Sequence, residues 1–116
     1  MSNEPGFRSL GSVKVKHAAI AAAASGTRTI VAAVAGKRIC VIHYHHGATG
    51  NTTVQWQSFD GTSTYTDLTG VIPPRNGDHC EGSYNPDGHF ETLVGEALVA
   101  VIGGVAIAGH LTYIEI

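Results

Sequence analysis

Histidine is the residue type best able to do chemistry in this chain. Seven occur, and His43, His45 and His46 crowd a single stretch, RICVIHYHH. His43 and His45 are two apart in a segment of strand composition, so both side chains leave the same sheet face. That spacing suits two ligands of a metal ion, but coordination takes three or four converging groups, and no Glu follows until Glu81. The sequence therefore assigns no metal ligands and reads His43, His45 and His46 as hydrogen-bonding residues at a strand end or subunit seam. Cys40 lies in the apolar run Ile39 to Ile42 and reads as a small core residue, whereas Cys80 falls in a polar, loop-like stretch. Ser58, Asp60 and His79 include the types of a hydrolase triad, yet no serine has a Gly-x-Ser-x-Gly setting. The 15 glycines form no Gly-x-Gly-x-x-Gly motif, and no phosphate-binding Lys-Ser/Thr pair is present. No catalytic residue, no cofactor and no enzymatic activity are expected. Trp56, Tyr65, Tyr84 and Tyr113 would suit a sugar-binding surface, but aromatics on alternating strands more often fill a core.

The elements that must position these residues read as strands. Val13, Val15 and His17 alternate with Lys14, Lys16 and Ala18, and this first strand runs into the alanines that stop at Ser25-Gly26. Thr27 to Ala35 and Arg38 to His46 are separated by Gly36-Lys37 and read as a hairpin. Thr52 to Phe59 alternates with Val54 and Trp56 on one face and Gln55 and Gln57 on the other, which places Trp56 in the core. Asp60-Gly61 turns the chain into a short strand within Ser63 to Leu68. Pro73-Pro74 and Asn76-Gly77-Asp78 make a loop. Asn85-Pro86-Asp87-Gly88 is a turn between short strands at His79 to Tyr84 and His89 to Val94. Ala97 to Ile102 and Val105 to Ile116 are strands split by Gly103-Gly104. Seven or eight short antiparallel strands point to an all-β sandwich, most simply a jelly roll.

Composition bounds the partners. The length of 116 residues suits one domain, here 13–116, preceded by a flexible N-terminal arm, 1–12, rich in Ser, Gly, Asn and Pro. Net charge is −2 and the cations are scattered, so no nucleic acid is expected. Apolar stretches such as Leu98 to Ile102 are far shorter than the roughly 20 residues of a spanning helix, so no membrane is expected. The start lacks the features of a secretory signal, and two cysteines make no disulfide framework. Both point to an intracellular product with free thiols. Only 14% of residues are charged, against about 25% on average, and Thr29 to Val34 and Ala97 to Ile102 read as apolar on both faces. Self-association is the expectation, with Phe7 and Arg8 as anchors of the arm on a partner.

Three stretches, IVAAVAGKRICVIHYHHGATGNTTVQWQSFDG, YNPDGHFETLVGEALVAVIGG and AGHLTYIEI, together resemble small bacteriophage virion proteins of the capsid decoration, or cement, type. The resemblance covers about residues 27–116. It implies a jelly-roll domain, a place in the virion, attachment to the major capsid protein or another virion protein, and a homo-oligomer, trimer first and dimer next. A neck, tail or spike position fits the same motifs. Two other readings are a small cupin-like metal-binding protein using His43 and His45, and a carbohydrate-binding module. Against the cupin, His43-x-His45 has no nearby Glu, and Pro74 to His79 does not reproduce the second cupin motif.

Overall fold

The computed structural model describes residues 13–22, 25–72 and 79–116. Among the described residues are nine strands and no helix: β1 (Lys16–Ala22), β2 (Gly26–Val31), β3 (Ile39–Ala48), β4 (Val54–Phe59), β5 (Tyr65–Asp67), β6 (His79–Gly82), β7 (Phe90–Glu91), β8 (Ala97–Ile102) and β9 (Ile107–Glu115). One sheet runs β1-β9-β3-β6, with β7 also on β3; the other runs β2-β8-β4-β5. Every pairing is antiparallel, and the pairings nest: β1 with β9, β2 with β8, β3 with β6 and β7, β4 with β5. A long hairpin wound over itself into two sheets gives this nesting, which is the jelly roll. β6 and β7 run the same way along β3, at Tyr44–Gly47 and then Cys40–Val41, so they are one strand position interrupted by the Asn85–Gly88 turn. No helix long and apolar enough to cross a membrane is present among the described residues.

The core lies between the sheets, built from Ile20, Val31, Ile39, Val41, Val54, Trp56, Leu98, Ala100, Ile102, Ile107 and Leu111. β4 shows the sequence pattern directly, with Val54, Trp56 and Ser58 buried and Gln55, Gln57 and Phe59 half-buried.

Three expectations are corrected. β2 and β3 do not form a hairpin. The Gly36 turn exists, with φ +73°, but β2 ends at Val31, and the intervening loop crosses between layers so that both strands feed the core from opposite sides. Ala97 to Ile102 does not need a second copy to cover its outer face. Ala97 and Val99 are 8% and 1% exposed within the one chain, Val101 is half-buried, and Val99 lies between Thr29 and Gln57 in register. Beyond Val31 the other segment assigned two apolar faces leaves the sheet, and Ala32 and Ala33 are exposed. Cys80 sits in strand β6 rather than a loop.

Candidate functional site

The chemistry-bearing residues gather on and around β3, and a bulge sorts them. The register of β3 on β9 shifts between Val41 and His43, so Ile39 and Val41 face the core before it and Tyr44 and His46 after it. His43 and His45 are thereby turned to the outer face. The bulged carbonyl of Ile42 accepts the Asn85 N–H at 2.8 Å.

Inside, His46 is completely buried beside Trp56, with ring centroids 6.2 Å apart. Trp56 stacks on Phe90 at 5.5 Å, and Phe90 reaches Tyr44 at 5.8 Å. Tyr44 in turn meets His46 at 5.9 Å and the edge of His89 at 5.4 Å. The packing is close enough that a side chain on Gly82 would overlap the Tyr44 ring. Among the described residues, neither nitrogen of His46 nor the indole N–H of Trp56 has a hydrogen-bond partner. Burial, helped by neighbouring His45, pulls His46 below the ordinary histidine value, and burial with Cys80 nearby pushes the Tyr44 phenol up. His46 is therefore not the ordinary hydrogen-bonding residue that the sequence suggests. Alternation alone would have separated it from His45; its burial required the core to be known.

Outside, His45 lies opposite His110 of β9 on one side and Glu81 of β6 on the other. Ring centroids of His110 are 6.0 Å from His45 and 5.7 Å from His43. His43 Nε2 is 3.4 Å from a Glu81 carboxylate oxygen. In the next row His17 Nδ1 is 3.1 Å from the Thr112 hydroxyl. His43 and His45 do share a face, as their spacing requires, but it is the outer face of the sandwich and not its interior. Among the described residues no three His, Cys, Asp or Glu side chains are grouped to hold a metal ion. His17 and His110 join this face from the two chain ends, which no local motif signals.

The other candidates serve structure. Cys40 is fully buried in a small cluster with Ile42, Ile114, Val13 and Ile116, capped by the Asn85–Gly88 turn, whose Asn85 side chain accepts the Asp87 N–H at 3.0 Å. Cys40 and Cys80 form no disulfide; they lie at distant stretches of β3, against Glu91 and His46 respectively, and on opposite faces of the sheet. Ser58 donates to Glu96 at 2.7 Å and accepts the Leu93 N–H at 3.0 Å. Asp60 caps its turn by accepting three backbone N–H groups, from Thr62, Ser63 and Thr64, which hold its carboxyl below the usual range. His79 pairs with Gly47 at the opposite end of the sandwich, so the Ser58, Asp60 and His79 combination does not converge. A shallow apolar pocket of about 360 Å³ lies among Gly47, Ala48, Thr49, Ala106, Ile107 and Ala108. Phe7 and Arg8 lie outside the described residues.

No protein-family model matches the chain, and no curated protein matches it. Among solved structures it is similar to a chain of the Bacillus endospore appendages, a family of disulfide-linked pili, at 15% identity over 93% of this chain and 91% of that one, with a TM-score of 0.46. It is also similar to the enzymatically active domain of tailspike protein 4 of bacteriophage CBA120, at 14% identity over 90% of this chain but 18% of that one, with a TM-score of 0.35.

Proposed function

We propose that this chain is a structural subunit of a bacteriophage particle, a jelly-roll module that binds neighbouring protein and carries out no chemistry of its own. The observation that supports it is one end of the sandwich. There the β7–β8 loop holds Leu93 and Val94 in the open, 42% and 54% exposed. The same loop is tied to the alanine-rich β2–β3 loop by the Gly95 N–H donating to the Lys37 carbonyl at 2.7 Å. Apolar side chains displayed on a braced surface are what protein contacts bury. The sequence resemblance supplies the virion context. In its finer form the reading is a capsid decoration protein on the major capsid protein or another virion protein, trimeric before dimeric, clamped through residues 1–12 by Phe7 and Arg8. Light scattering at micromolar concentration tests self-association: a trimer mass is expected, reduced to monomer by Leu93→Glu with Val94→Glu, and a monomer mass for the unaltered chain overturns it. Antibody labelling of particles released from cells carrying the coding sequence tests the location, and unlabelled particles overturn that part.

A further inference from the structure

β3 carries imidazoles on both faces. On the inner face His46 is fully buried, with neither ring nitrogen hydrogen-bonded among the described residues. Around it stand Tyr44 and His45 of its own strand, Cys80 across the β6 ladder, Gly109 across the β9 ladder and Trp56 from the other sheet. No carboxylate is among these groups, so complete burial leaves a proton on His46 with no water contact and with no anion beside it among the described residues. On the outer face His43, His45 and His110 stand together within the same ladder, and the acid beside them, Glu81, lies 3.4 Å from His43. Beyond them His17 meets the uncharged Thr112.

We propose that buried His46 makes the β3–β9 ladder an acid-sensitive latch, closed near neutral pH and loosened as pH falls through the ordinary range of histidine. The sign follows from His46. The folded state keeps it neutral to lower pH than the unfolded chain does, so the unfolded chain binds the extra proton. Stability is then full above about pH 6.5 and is lost as pH falls below it. β3 is where such loosening has most effect, because it pairs with β6, β7 and β9 and holds the middle of its sheet.

Thermal unfolding of the full chain between about pH 8 and about pH 5 tests the latch, the range being chosen to bracket histidine. The wild-type midpoint is expected to fall by about 5 °C or more across it, the shift that about 1 kcal/mol gives in a domain near this size. His46→Phe should remove most of that fall. A flat wild-type midpoint, or the full fall retained in His46→Phe, overturns the proposal. If His46→Phe does not fold, amide exchange of the wild-type protein decides. Faster opening confined to β3 and β9 at the acid end supports the latch, and unchanged or uniform opening sinks it.

Discussion

At the scale of single residues, two buried side chains carry unequal kinds of stabilisation. Trp56 is completely buried and in contact with Phe90 and His46, so its worth is apolar area and ring packing. Trp56→Ala should cost about 3–5 kcal/mol, read as a lower urea midpoint. Thr92 is also completely buried, but its hydroxyl accepts the Ile39 N–H at 2.9 Å while the Thr92 carbonyl receives Arg38 Nη1 at 3.4 Å. Thr92→Val keeps the shape and strands the Ile39 donor, for an expected loss of about 1–3 kcal/mol by the same measurement. A neutral outcome would mean that the donor finds another partner.

Between elements, the turns do more than reverse the chain. Gly61 and Gly88 both have φ +90°, a conformation that costs an L side chain about 1–2 kcal/mol. A Cβ on Gly61 would meet nothing within 4 Å, whereas one on Gly88 would overlap Cys40 Sγ. Gly61→Ala should therefore show the backbone cost alone, and Gly88→Ala should exceed it by about 1–3 kcal/mol of overpacking. Equal losses in denaturant unfolding would show that the turn lifts away from Cys40 without cost. Gly109 illustrates the same constraint on a strand: any side chain there would overlap the His45 carbonyl, so β9 approaches β3 closely where the histidines sit.

For the whole molecule, the pairing of the first strand with the last means the sheet that bears the histidines closes only when both chain ends are in place. Deletion of residues 1–12 stops short of β1 and is expected to leave the unfolding midpoint within about 2 °C of wild type, well under the shift of a 1 kcal/mol loss, while weakening attachment to a particle. A collapse of the midpoint would instead make that segment part of the folded domain. Self-association, for its part, rests on the exposed Leu93 and Val94, since Ala97 and Val99 on the outer face of β8 are buried within the one chain.

By itself the sequence determined the strand class, the burial of Trp56 from the alternation of Val54 and Trp56 with Gln55 and Gln57, the shared face of His43 and His45, and the turns at Gly36, Asp60 and Asn85. All of these follow from period-two patterning and local turn chemistry, which act over a few residues. Only the tertiary structure decided which strands pair and which face is inward. The loop before Ile39 changes sheets where local signals read as a hairpin, and the bulge at Ile42 sets the faces of everything after it on β3. Val99 is set between Thr29 and Gln57, residues far away in the chain, by strand pairing alone. His17 and His110 reach the β3 histidines only because the nested pairing lays both chain ends alongside one another, a long-range arrangement that no window along the chain contains.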